Sequence, residues 1–433
     1  MHPHTLQNSL AQSAWSIVVL GAQWGDEGKG AVIDYLAGQA DVVYRFNGGA
    51  NAGHTIIVDG TKHVVHLLPS GIIRRGVMNL VGPGVVCDPE VIVEELMIAA
   101  AYGSRVMLDA SALVVTPLHK LLDAARERLA GTHAIGTTKR GIGPAYEDLS
   151  ARRGLRLSDL TSPATTRAAF EHSGYLAEKQ ALLQALGVEN IPTIEELLTW
   201  AEQFRAQIVP HLGDTRSYLA TAVASGKRVL GEGAQGIMLD VLHGSQPYTT
   251  SSGCTVGALS ATMGLYHFDA VIGVAKAYAT RVGAGPFPTC QTNEDGEELR
   301  RRGHEYGATT GRPRACGWLD LPALSYACRM GGITHLILTK LDILSDFPHD
   351  IAVCTGYHYN DRDILATDTL TTHVLEESEL AYTQLSPWSA TELSNLSHAP
   401  TVSEYLALVE KATGTVVGGI KTSPERNALH LFG

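Results

Sequence analysis

The segment Gly21-Ala22-Gln23-Trp24-Gly25-Asp26-Glu27-Gly28-Lys29-Gly30 carries the residue types of a phosphate site, because an apolar run from Ile17 to Leu20 passes into a glycine-rich turn that ends on a lysine. Backbone amides of such a turn, the unpaired donors of a helix start and a lysine ammonium can converge on one point and favour a di- or triphosphate there. The common phosphate loop has four residues between its glycines and a Ser or Thr after the lysine to hold magnesium. Here six residues separate Gly21 from Gly28, and Gly30 follows Lys29, so another group must hold the metal. Asp26, inside the loop, is the candidate, and a carboxylate beside a transferring phosphoryl group can also act as a base.

Further constellations lie downstream. Asn47-Gly48-Gly49-Ala50-Asn51-Ala52-Gly53-His54-Thr55 follows a second apolar run, and its small residues leave the His54 ring open to a ligand, so that Asp26 and His54 could serve as base and acid. Gly136 to Pro144 mixes hydroxyls, cations and glycines, which suits a monophosphate or a plain surface turn; Arg152, Arg153 and Arg156 could complete such a pocket or form a solvated face. Glu232-Gly233-Ala234-Gln235-Gly236 offers Gln235, whose amide both donates and accepts. Gly303 to Arg314 brackets Thr309 and Thr310 with glycines and leads to Arg312 and Arg314, whose guanidinium forks match a small dicarboxylate. Thr339-Lys340-Leu341-Asp342 has the pattern with which guanine-nucleotide proteins read their base, since one carboxylate can accept both the ring N–H and the exocyclic amine of guanine.

The elements that must position these loops are legible as apolar runs. Val32, Ile33 and Leu36 share a helical face after Lys29, and Val42 to Phe46 reads as the next buried strand, which makes a βαβ unit. Runs at Asn79–Val81, Val106–Leu108, Arg228–Leu230, Ala270–Val274 and His335–Leu338 extend the pattern to an α/β fold: a mostly parallel central sheet flanked by helices. From about residue 160 to 225 the chain turns rich in Ala, Leu, Glu and Gln at helical spacing, an expected helical insertion in a single domain covering 15–433, with residues 1–14 a flexible extension. A net charge of −11 argues against a nucleic-acid or membrane surface. Six scattered cysteines without metal-ligand spacing, no basic start and no long apolar span point to a cytoplasmic protein.

Taken in order, Q-W-G-D-E-G-K-G, N-A-G-H-T, G-T-T-x-R-G-I-G-P-A-Y, E-G-A-Q-G, A-T-T-G-R-x-R and T-K-L-D resemble the adenylosuccinate synthetase family from about Trp15 to the C-terminus. The resemblance implies a magnesium-dependent ligase that joins IMP to L-aspartate at the expense of GTP, through a 6-phosphoryl intermediate, in AMP biosynthesis. It implies a catalytic set of Asp26, His54, Lys29 and Gln235, with the metal on Asp26 and the Gly53 carbonyl. IMP contacts fall on Asn51, Thr138, Gln235, Thr250 and Arg312, with Arg152 reaching across a homodimer. GTP contacts fall on Gly25, Asp26, Glu27, Gly28, Lys29, Gly30, Gly53, His54, Thr55, Arg314, Lys340, Asp342, Thr422 and Ser423, and those of aspartate on Thr309, Thr310, Arg312 and Arg314. The chain departs from the family pattern at Ala31 and Ala315, where basic residues are frequent, at Leu242, where Asp is common, and at Ser423, where Gly is common. Two alternatives follow: a relative that ligates aspartate to another 6-oxopurine nucleotide, and a guanine-nucleotide-binding regulator that ligates nothing.

Overall fold

Ser16–Gly21 is a strand buried along its whole length, and its side chains divide between two cores, Val18 and Leu20 in one, Ile17 and Val19 in the other. Successive strand residues point to opposite faces, so an unbroken apolar run is what a strand covered on both sides requires. In the computed structural model, which describes residues 5–58, 61–306, 311, 313–423 and 425–432, this strand sits near the centre of a ten-stranded sheet. The order across the sheet is Leu429–Leu431, Val416–Lys421, His335–Thr339, Ala270–Lys276, Ser16–Gly21, Val229–Glu232, Val42–Arg45, Met78–Val81, Arg105–Asp109 and Leu212–Gly213. Every neighbouring pair is parallel except the last hairpin, Val416–Lys421 with Leu429–Leu431. This is the expected mostly parallel α/β sheet.

The winding explains where a ligand can bind. From Ser16–Gly21 the chain moves out through Val42–Arg45 toward one edge, returns to fill the gap with Val229–Glu232, and then builds the other half from Ala270–Lys276 onward. Where the direction of winding reverses, the loops at the carboxyl ends of the strands diverge and leave a crevice. The phosphate loop, the Asn47 segment, Glu232 to Gly236, Lys340 with Asp342, and Thr422 all follow carboxyl ends of strands in this sheet.

Between 160 and 225 lie the helices Pro163–Glu171, Tyr175–Ala185, Ile194–Ile208 and Thr215–Ala224. Ser162 and Thr193 accept from backbone amides three residues on and start two of them. Phe170, Leu183, Leu197 and Ile208 close a core with Leu118 and Leu122 of the helix Pro117–Ala130. A smaller sheet of Leu319–Asp320, Ile351–Tyr359, Arg362–Asp363 and Glu379–Leu385 was not anticipated. Nor was the hairpin His54–Val58 with Thr61–Val65, which makes His54 the first residue of a strand rather than part of a loop.

The flexible extension expected over residues 1–14 is corrected for its described part. Leu6–Leu10 is a helix capped by the Thr5 side chain, and Leu6 and Leu10, one turn apart, are buried in the core that holds Ile17 and Leu429. All six cysteines are unpaired thiols. No helix among the described residues is long and apolar enough to cross a membrane.

Candidate active site

The phosphate loop turns through left-handed backbone at Gly25 (φ 87°), Asp26 (φ 59°) and Gly28 (φ 91°), which a glycine adopts freely and an aspartate rarely. Its interior is held by Glu27. That fully buried carboxylate accepts from the amides of Gln23 at 3.0 Å and Gly25 at 2.9 Å and receives the Lys29 ammonium at 2.6 Å. Lys29, expected to point at an incoming phosphate, is therefore neutralised within the loop and only 4% exposed. A carboxylate has filled an anion cradle. Gly21 has no alternative, since a Cβ there would meet the Gln235 carbonyl at 2.5 Å and Glu27 Oε2 at 2.6 Å.

Asp26 and His54, read from the sequence as base and acid, are each claimed by a different partner. Asp26 Oδ2 lies 2.9 Å from Arg314 Nη2. His54 Nδ1 is hydrogen-bonded to Glu232 Oε1, and the same carboxylate accepts from the Ser70 amide at 2.7 Å and the Ser70 hydroxyl at 2.8 Å. Burial alone would raise the Glu232 pKa, but the His54 ring, the Ser70 amide and Arg45 outweigh it and hold the carboxyl below its ordinary value. An ionised Glu232 fixes the proton on Nδ1, which leaves Nε2 to meet a ligand.

The Asn47 segment wraps around a buried arginine. Arg45 donates to the carbonyls of Asn47, Gly49, His66 and Leu67 and is inaccessible to solvent. Asn47 then ties three loops together, accepting from Ala234 N at 2.9 Å and donating to the Gly253 carbonyl at 2.8 Å. Asn51 Oδ1 accepts from Gln235 Nε2 at 3.1 Å, while Gln235 Oε1 is buried without a partner among the described residues and its backbone is held at φ 57°. A buried acceptor left empty costs free energy unless a ligand fills it. Tyr146 bonds to Gly48, and Gly143 lies against the Ser251 hydroxyl, which brings the segments of Thr138 and Thr250 to the same side. Thr138 is exposed, and so is Arg152, whose guanidinium has no partner among the described residues and whose backbone is left-handed (φ 62°).

On the other side of the phosphate loop, Lys340 (φ 65°) donates to the Gly303 carbonyl at 2.7 Å, and Asp342 lies two residues on, half-buried, with burial raising its pKa against the pull of Lys340. Thr422 and Ser423 sit in a loop anchored from behind. Arg426 grips Asp34 of the helix Lys29–Ala37 at 2.6 and 2.9 Å, and Arg74 bonds the same carboxylate at 3.0 Å. Glu305 joins Lys276, Tyr278 and Arg314. Thr309, Thr310 and Arg312 lie outside the described residues. Gly30 is packed under His54, Gly53 is exposed, and Thr55 is half-buried at the start of the hairpin.

A family model described as adenylosuccinate synthetase matches residues 18–430. The chain belongs to the adenylosuccinate synthetase family. It is 42% identical over 422 residues to the adenylosuccinate synthetase of Trichlorobacter lovleyi, covering 95% of this chain and 97% of the relative. With that of Halothermothrix orenii it shares 47% over 354 residues, 80% of this chain and 81% of the relative. The structure of a fully ligated adenylosuccinate synthetase from Plasmodium falciparum superposes with a TM-score of 0.90 at 35% identity, covering 96% of this chain and all of that one.

Within this family frame, the residues that the sequence did not single out are supporting ones: Asn47, Arg45, Glu232, Asp34 with Arg426, and Glu305; Glu27, expected among the GTP contacts, has its side chain turned inward to hold the loop. Glu232 had a signal, an acidic residue inside an otherwise small, apolar stretch. The others had none, because residue type alone does not say which side chains the fold will bury together, and several partners, such as Arg426 for Asp34 and Ala234 for Asn47, lie far away in sequence. The donor set fits a magnesium ion. Asp26 is a partly exposed carboxylate, Gly53 is an exposed residue, and no cluster of three or more His, Cys, Asp or Glu suited to a metal exists among the described residues. Magnesium bound by one carboxylate and completed by substrate phosphates and water needs no fuller cage.

Proposed function

We propose that this chain joins L-aspartate to IMP with GTP hydrolysed to GDP and phosphate, giving adenylosuccinate, and that it works as a cytoplasmic homodimer. The observation that carries the reading is the split pairing at the phosphate loop: Asp26 is held toward Arg314 while His54 is held by Glu232, so one carboxylate and one imidazole flank the loop without neutralising each other.

Asp26 takes the proton from N1 of the hypoxanthine. The electron pair passes to O6, which attacks the γ-phosphorus as the bond to the β-phosphate oxygen breaks and GDP leaves. His54, held by Glu232 through Nδ1, turns Nε2 toward the oxygens gaining charge and, as the imidazolium, donates from it, and Lys29 moves from Glu27 to the same anions. Preorganised donors of this kind are the main source of acceleration in phosphoryl transfer. Magnesium on Asp26 and the Gly53 carbonyl would add positive charge beside the triphosphate. The aspartate amine then attacks C6, the C6–O6 bond breaks, phosphate leaves and the amine loses a proton. Gln235 Oε1, the empty buried acceptor, together with Asn51, Thr138 and Thr250 supports an IMP site; Arg314 with Thr309, Thr310 and Arg312 is assigned to aspartate; Lys340, Asp342, Thr422 and Ser423 to guanine.

The test supplies GTP, magnesium and L-aspartate with a panel of 6-oxopurine monophosphates. IMP should be the best acceptor. Preference for another base would mean that Ala31, Leu242 and Ala315 mark a changed acceptor, and phosphate release indifferent to aspartate would mean a nucleotide-binding regulator.

A further inference from the structure

Glu305 takes no part in the steps above, yet it is buried at the centre of the cations that frame the site. Its Oε1 accepts from Lys276 Nζ at 2.8 Å and from the Tyr278 hydroxyl at 2.5 Å, its Oε2 accepts from Arg314 Nη1 at 2.7 Å, and Lys340 Nζ lies 3.9 Å away. Burial opposes ionisation here, but the Lys276 and Lys340 ammoniums outweigh it and hold the carboxyl down to about 2. The cluster is joined to the phosphate loop twice. Lys276 N donates to Gln23 Oε1 at 3.0 Å and Gln23 Nε2 donates back to the Lys276 carbonyl at 3.3 Å, while the second edge of the Arg314 guanidinium reaches Asp26. Glu305 and Arg314 also bond through their backbones, Arg314 N donating to the Glu305 carbonyl at 2.9 Å.

Buried ion pairs contribute little net stability compared with apolar packing, so stability alone is a weak reason for this arrangement. Orientation is a better one. A guanidinium is a rigid planar fork, and fixing one edge fixes where the other edge and Nε point. Arg314 Nε is buried and has no partner among the described residues.

We infer that Glu305 is a positioning residue for the ligation: by gripping one edge of Arg314 it turns the other toward Asp26 and holds this arginine of the aspartate site against the phosphate loop. The inference rests on the roles proposed above for Arg314 and Asp26. It has a structural consequence that needs no assay. In unliganded crystals of Glu305→Gln, Arg314 should have left Asp26; a guanidinium still within hydrogen-bond distance of Asp26 overturns the idea whatever the enzyme catalyses. In kinetics, losing one charge-assisted bond should raise the KM for L-aspartate about 10-fold while the KM for IMP and for GTP moves less than about 3-fold. In an Arg314→Lys background, which lacks the fork, Glu305→Gln should change the aspartate KM by less than about 2-fold, since residues acting through one another are not additive. A fall in kcat with all three KM values unchanged, or additive effects, would assign Glu305 to the fold alone. Should Glu305→Gln not fold because Lys276 is left unpaired in the core, the double variant with Lys276→Met removes both charges and gives the same readouts. Aspartate-dependent phosphate release by the parent enzyme separately checks the functional reading.

Discussion

The Asp26 carboxylate is one-third exposed, sits in left-handed backbone and gives one oxygen to Arg314. Removing its charge while keeping its shape isolates the proposed base, so Asp26→Asn should fold normally and lose roughly 100-fold or more in turnover, the usual scale for a general acid or base. Turnover near that of the parent would refute the role. The base-reading carboxylate has a different signature. Asp342→Asn replaces an acceptor with a group that both accepts and donates, which suits the 2-oxo group of xanthine better than the 2-amino group of guanine. The expected result is a shift of nucleotide preference from GTP toward XTP, measured as a ratio of kcat/KM values; an unchanged ratio removes Asp342 from the guanine site. Both residues were legible because their types sit at informative spacings. Glu232 was legible as a motif member but not as the partner of His54, since nothing in a sequence says which carboxylate a histidine 178 positions away will meet.

Seven of the ten strands of the main sheet followed from apolar runs, and Val42–Arg45, Met78–Val81, Ala270–Lys276 and His335–Thr339 appear within a few residues of where those runs lie; Leu212–Gly213, Val416–Lys421 and Leu429–Leu431 were not anticipated. Val416–Lys421 escaped notice because Gly418 and Gly419 interrupt its apolar pattern; Gly419 is needed where the hairpin closes, since a Cβ would meet the His430 carbonyl at 2.7 Å. The smaller sheet has an electrostatic feature of its own. Asp320 caps the helix Leu321–Gly331 by accepting from Ala323 N at 3.0 Å and bonds the Tyr357 hydroxyl at 2.5 Å, and burial lifts its pKa from 3.8 to about 6 despite both bonds. A carboxyl with a raised folded pKa stabilises fully below its unfolded pKa and loses that contribution as pH climbs through the folded one, here between about 4 and 6, a change of about 3 kcal/mol. An asparagine can keep the cap and carries no charge. Asp320→Asn should therefore match the parent in thermal unfolding near pH 4 and exceed it at pH 7.5; a variant less stable than the parent at pH 7.5 would show that the ionised carboxylate is favourable where it lies.

At the scale of the whole molecule, the winding reversal about Ser16–Gly21 gathers loops separated by up to 400 residues into one crevice, which the sequence implied only through its βαβ opening. What this chain leaves unfinished is the exposed Arg152, a cation on strained backbone with no partner among the described residues. If it completes the IMP site of a second subunit, a mixture of Arg152→Leu and Asp26→Asn chains should recover up to about a quarter of parental activity, because only heterodimers form one intact site. No recovery in confirmed heterodimers would argue that each subunit works alone. That subunit crossing could not be read from residue types, since an exposed arginine in one chain looks the same whether it faces water or a partner. The central claim, that O6 of the purine is phosphorylated before aspartate displaces it, is tested most directly by following that oxygen. With IMP labelled at O6 by oxygen-18, together with GTP, magnesium and L-aspartate, mass spectrometry should find one labelled oxygen in each phosphate released; unlabelled phosphate accompanying adenylosuccinate would contradict the account.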